Sequence, residues 1–153
     1  MEHIEYAYTR GMDGEEIAER LASAESGVLS MADEGDAYGI PLAHYYDGED
    51  LYFRLGMTAG SHKREVLDHG GSVSYVVYGA EETDEPRGID SWSIVARGTL
   101  ERIPESDHDR FDTAEINRQF TPIRVFDEDV NDIDIVIFRL NAESVTGRST
   151  PLD

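Results

Sequence analysis

The chain has 153 residues, with 33 acidic against 13 basic side chains and a formal net charge of -20. That charge repels nucleic acid and anionic membrane surfaces, and the lack of any cysteine excludes disulfides, thiolate metal sites and a cysteine nucleophile. A hydrophobic fraction of 39% over this length suits a single domain, residues 1–153, with its own core.

Met1-Glu2-His3-Ile4-Glu5 lacks the basic and apolar regions of a secretory signal. No apolar run approaches the roughly 18–20 residues that span a bilayer, so a cytoplasmic protein without membrane contact is expected. Asp13 and Glu16 have capping-box spacing. Ile17, Ala18, Leu21 and Ala22 then recur at helical spacing, which predicts a helix over 13–25. Gly27 to Ala32 reads as a buried strand with its turn at 33–36, and Ala37 to Tyr46 as a second strand. Asp47-Gly48 marks a hairpin into Leu51–Leu55. Gly56 to Gly60 reads as a loop, and Ser61 as the N-cap of a helix ending at Gly70-Gly71. Strands are predicted at Ser72–Tyr78 and Ser91–Arg102, with an acidic loop at 81–87 between them. A helix over Asp107–Phe120 and a last strand over 133–140 complete the order. Strands joined by hairpins favour a mainly β (α+β) fold, an antiparallel barrel with peripheral helices.

Lys63 is the one lysine; the other basic residues are arginine. Acid excess with lysine loss points to a halophilic protein, because at about 1 M salt the Debye length is only about 3 Å and self-repulsion is screened. Residues 51–64 hold no acid, while Arg54, His62, Lys63 and Arg64 cluster there. Ser61, His62 and Lys63 stand at a helix start, where free backbone N–H groups favour phosphate; the alternative is a solvated helix end. Arg54 reads equally as a phosphate fork or as a rim arginine paired with an acid. Trp92, the lone tryptophan, reads as core packing or as an aromatic wall for a planar cofactor. The histidines His3, His44, His62, His69 and His108 have no metal-ligand spacing, so no metal site is expected. No nucleophile elbow, P-loop or dinucleotide-binding glycine motif occurs.

The sequence of motifs Leu51-Tyr52-Phe53-Arg54, then Gly60-Ser61-His62-Lys63, then Ser91-Trp92-Ser93-Ile94-Val95-Ala96-Arg97-Gly98 resembles the pyridoxamine 5'-phosphate oxidase-like family. The resemblance covers residues 13–104 best. It implies a split β-barrel, a homodimer and bound flavin mononucleotide (FMN). It implies that backbone of Pro41, Leu42 and Ala43 lies along the flavin ring and that Phe53 and Arg54 approach the ribityl phosphate. Ser61, His62 and Lys63 would bind the phosphate, and Ser93, with Trp92 as a wall, would approach the cofactor. Ala43 stands where the vitamin B6 oxidase has a lysine, and the oxidase's C-terminal arginine motifs are not evident. The resemblance therefore implies the flavin-nucleotide-binding, nitroimidazole-reductase-like branch, an FMN-dependent oxidoreductase of an unassigned small molecule. Relatives of this barrel bind the deazaflavin F420 or haem, for which His44 or His62 would be the axial ligand. A non-catalytic flavin-binding protein is the remaining reading.

Overall fold

The computed structural model describes residues 10–57, 71–82, 89–120 and 134–150. The predicted helix from Ser61 to Gly70, with Ser61, His62 and Lys63, lies outside the described residues, as does most of the 81–87 loop. Helix α1 (Gly14–Ser23) begins where the capping residue predicts: the Asp13 side chain accepts the Glu16 N–H at 2.9 Å. The reciprocal half of the capping box is diverted. Glu16 turns to the Arg10 guanidinium with contacts of 2.9 and 2.7 Å. Ile17 and Leu21 face the barrel, and Leu21 is buried.

The strands are β1 (Arg10–Gly11), β2 (Ser26–Asp33), β3 (Asp36–Ala43), β4 (Tyr45–Tyr46), β5 (Leu51–Met57), β6 (Ser72–Glu82), β7 (Ile89–Arg102) and β8 (Asp134–Ser149). They form one eight-stranded sheet in the order β3-β2-β6-β7-β8-β5-β4, with β1 added to β8. Every pairing is antiparallel. The sheet curls around a core that includes Leu29, Phe53, Tyr75, Val77, Ile94, Val136, Phe138 and Leu140. Curling brings the end strand β3 within 8 Å of β5, Cα to Cα, with no ladder between them. The barrel is split along that line.

Three predicted elements differ in the structure. The strand expected over 37–46 breaks at His44, whose side chain turns into the core, and β4 leaves to pair with β5. The helix expected over 107–120 is a 3-10 turn (Glu105–Phe111) followed by α2 (Ala114–Gln119). Thr113 accepts the Ile116 N–H and Asp112 accepts the Asn117 side-chain amide, which restarts the helix instead of continuing it. The last strand runs on to Ser149 rather than ending at Leu140. A bulge opposite Arg97 and Gly98 sits in this extension. Before it Val136, Phe138 and Leu140 point inward; after it Gly147 does. Gly98 is required there, since a Cβ would lie 2.0 Å from the Asn141 carbonyl oxygen.

Outside the barrel, Tyr52, Ile103, Phe111, Phe120 and Ile137 form a second cluster that seats the 3-10 turn and α2 on β5 and β8.

Candidate functional site

The open edge of β3 is the first component of the site. His44 N–H donates to the Glu25 carbonyl at 3.2 Å, and Ala43 is paired with Ser26. Antiparallel alternation then turns the backbone groups of Leu42 and Ile40 toward β2 and those of Gly39, Pro41 and Ala43 the other way. Pro41 fits this edge because the N–H it lacks is one the ladder does not use. The split therefore receives the Ala43 N–H as donor and the Gly39, Pro41 and Ala43 carbonyls as acceptors. Among the described residues no backbone carbonyl pairs with the Ala43 N–H.

Behind this edge lies a buried polar node. His44 is 2% exposed. Its Nε2 lies 2.9 Å from the Leu21 carbonyl oxygen. A carbonyl only accepts, so Nε2 carries the proton and satisfies a carbonyl left over at the C-terminal end of α1. The Nδ1 of the neutral ring then accepts from the Tyr75 hydroxyl at 2.7 Å. The same hydroxyl lies 3.3 Å from the Leu42 carbonyl oxygen. Burial pushes the His44 pKa down, with the Leu21 carbonyl opposing, and pushes the Tyr75 hydroxyl up. Gly27 makes room for this arrangement, since a Cβ would stand 2.7 Å from the Tyr75 ring carbon that carries the hydroxyl. With both ring nitrogens engaged inside the protein, His44 is not placed as an axial haem ligand.

The other predicted residues divide between core and surface. Phe53 is fully buried, its ring 4.6 Å from that of Tyr75, so only its backbone can approach a cofactor. Arg54 points to the opposite face of β5. Its guanidinium donates to the Asn117 side-chain oxygen and lies 4.9 Å from the centre of the Phe120 ring. Burial lowers the Arg54 pKa and Asp112 opposes that shift. Trp92 takes a packing position: its indole rests on Gly79, where a Cβ would fall 2.6 Å from the ring nitrogen, and Arg20 of α1 covers it at 5.1 Å. Ser93 lies on the opposite face of β7 from Trp92, between Tyr78 of β6 and Arg148 of β8.

The structure thus brings Pro41, Leu42 and Ala43 close to β5 through Tyr75, which touches both strands. It does not bring Ser93 to Arg54. Arg54 is in register with Ile137 and Ser93 with Arg148, eleven residues along β8. At about 3.3 Å per residue that is about 36 Å of strand. Two surface clefts, of about 260 Å³ beside Ile103 and His108 and about 210 Å³ beside Ile17 and Tyr46, include none of the predicted site residues. Among the described residues no cluster of His, Asp or Glu could hold a metal ion, and no helix is long and apolar enough to cross a membrane. Tyr75 and Asn117 were not legible as site neighbours, because nothing local in the sequence connects them with β3 or Arg54.

An antiparallel sheet curled around one core and open between two strands defines a split β-barrel. The family described as pyridoxamine 5'-phosphate oxidase matches residues 13–149, and the chain belongs to that family. A FAD-binding protein from Mesorhizobium loti has the same fold, with a TM-score of 0.72 and 24% identity over 94% of this chain and 99% of that one. A protein assigned to 5-nitroimidazole antibiotic resistance, from Bacteroides thetaiotaomicron, gives a TM-score of 0.69 and 21% identity over 92% and 87%. A FAD- and haem-binding protein from Mycobacterium smegmatis gives 0.66 and 16% over 95% and 76%. No functionally curated protein matches the sequence.

Proposed function

We propose that this chain binds FMN along the open edge of β3 and serves as a flavin-dependent reductase of a small molecule. The observation that carries the reading is the Ala43 N–H between the Pro41 and Ala43 carbonyls on an edge that no described strand covers. A flavin ring offers acceptors and a donor along one side, and such an edge complements it. Bound FMN would supply the hydride or electron chemistry. The chain's own residues bind and orient: the β3 backbone at the ring, and Ser61, His62, Lys63 and Arg54 at the phosphate. FAD contains the same ring and first phosphate, and the Mesorhizobium loti and Mycobacterium smegmatis proteins are named for FAD, which supports a flavin at this edge. The Bacteroides protein, named for 5-nitroimidazole antibiotic resistance, supports a small molecule as the acceptor.

We also propose that the chain acts as a homodimer. One chain holds Ser93 and Arg54 far apart along β8, and two chains can set Ser93 of one against the flavin held by the other. We place the protein in a high-salt cytoplasm on its acidic, cysteine-free composition.

The test is the visible spectrum of protein purified in high salt, with chromatography of the released chromophore. Release of FMN supports the reading, and FAD would extend it. F420 or haem would keep the fold and replace the chemistry; a colourless protein that takes up no added flavin overturns the reading. Lys63→Ala should weaken FMN binding by about 1.5–3 kcal/mol, the loss of one charged hydrogen bond, or about ten- to a hundredfold. Unchanged affinity in a titration calorimeter would remove Lys63 as the anchor.

A further inference from the structure

We propose that Tyr75 and His44 form a proton-operated switch that sets the donor strength of the Ala43 N–H at the open edge of β3. The switch itself is a property of the protein; its effect on a flavin rests on the reading above.

The Tyr75 hydroxyl has one proton and two acceptors within reach, His44 Nδ1 at 2.7 Å and the Leu42 carbonyl at 3.3 Å. With His44 neutral, Nδ1 has a bare lone pair and takes the hydroxyl proton. When a proton from solvent adds to Nδ1, that nitrogen becomes a donor, and its N–H points at the Tyr75 oxygen. The hydroxyl must then turn its own proton to the Leu42 carbonyl. One proton is gained overall, and the hydroxyl rotates with little movement of heavy atoms. The Leu42 carbonyl and the Ala43 N–H belong to one trans peptide and point in opposite directions. A new hydrogen bond on the carbonyl polarises that peptide and strengthens the N–H on the far side. A protonation event in the core thereby reaches the edge where a cofactor sits.

The surroundings allow both states. α1 presents the Leu21 carbonyl to Nε2, and the negative end of its dipole favours an imidazolium. The α1–β2 link presents the Glu25 carbonyl to the His44 N–H. β3 presents the Leu42 carbonyl, and β6 presents the Tyr75 hydroxyl, the titratable group that meets the ring at Nδ1. Burial, not a charged neighbour, pulls His44 below its ordinary range, so the switch operates on the acid side of neutrality.

The experiment is an NMR pH titration of isotope-labelled protein in high salt, from neutral pH down to the onset of unfolding. It follows the His44 ring nitrogens, the Leu42 carbonyl carbon and the Ala43 amide. The Ala43 amide proton should move downfield with the same midpoint as His44. In Tyr75→Phe, His44 should still titrate while Ala43 stays flat. In His44→Gln, which keeps an amide donor for Leu21 and an acceptor for Tyr75, both reporters should stay flat, and this variant decides the matter if Tyr75→Phe does not fold. An Ala43 signal that ignores His44, one that follows it equally in Tyr75→Phe, or a His44 that never protonates before unfolding overturns the switch. In flavin-loaded protein, the midpoint potential plotted against pH should break at the His44 midpoint and lose that break in Tyr75→Phe. Coupled NMR signals without flavin uptake uphold the switch and overturn the flavin reading; flavin uptake without coupled signals does the reverse.

Discussion

Tyr75 ties β6 to both His44 and β3 through one oxygen atom, and its removal has a definite cost. Tyr75→Phe leaves Nδ1 of a buried histidine without a partner, and an unsatisfied buried group costs about 1–3 kcal/mol. Urea unfolding of the variant should show that loss as a lower midpoint with an unchanged slope. Gly27→Ala attacks the same node by volume, since its Cβ would meet the Val76 carbonyl oxygen at 2.5 Å and the Tyr75 ring at 2.7 Å. Overpacking of this kind costs about 1–3 kcal/mol. The histidine also gives stability a pH dependence with a known sign. Its folded pKa lies below the ordinary value of about 6.5. As pH falls through that value the unfolded chain takes up a proton before the folded one does, so stability declines until the folded value is passed. His44→Gln should flatten that part of a melting-temperature profile between neutral and mildly acidic pH. If wild type and variant keep parallel profiles, His44 is not the titrating group.

Elements were legible where one local signal decides them. Asp13 fixed the start of α1, and Asp13→Ala should cost about 0.5–2 kcal/mol by loss of the cap, read from equilibrium unfolding. Asp47-Gly48 fixed the hairpin: the Asp47 carboxylate accepts the Glu49 and Asp50 N–H groups at 2.8 and 2.7 Å, and Gly48 has a φ of 102°. Illegible features depend on partners remote in sequence. Ala37–Tyr46 reads as one strand in the sequence, and only the partners of His44, on α1 and β6, explain its break. The second half of β8 hides behind a bulge that shifts its alternation by one residue and behind exposed Asn141, Glu143 and Ser144. Asp112 and Thr113 are cap residues inside what reads as one helix. Within the candidate site, Pro41 to Ala43 were legible through the resemblance, and the edge they form is visible in the register. The partners of Arg54 were not, since Asn117 and Phe120 reach it from another part of the chain.

At the scale of the whole molecule, the net charge of -20 sets acidic side chains against one another. Repulsion among surface carboxylates is long-ranged in dilute salt and screened near molar salt. The melting temperature should therefore rise as salt is added, and a melting temperature independent of salt would contradict a halophilic origin for the composition. The sheet has a further property. β8 pairs with β7 on one side and β5 on the other, and β1 extends along it. Without β8 the sheet falls into two separate pieces, β3-β2-β6-β7 and β5-β4. Among the described strands this joining strand is the last in chain order. A nascent chain that has delivered the other described strands still lacks the one that unites them, and Leu51 must wait for Leu140 before its ladder with β8 can form. Such distant pairings slow folding. The sheet can therefore close only after translation has passed residue 149, and until then the edges of β5 and β7 that β8 covers stand unpaired with it.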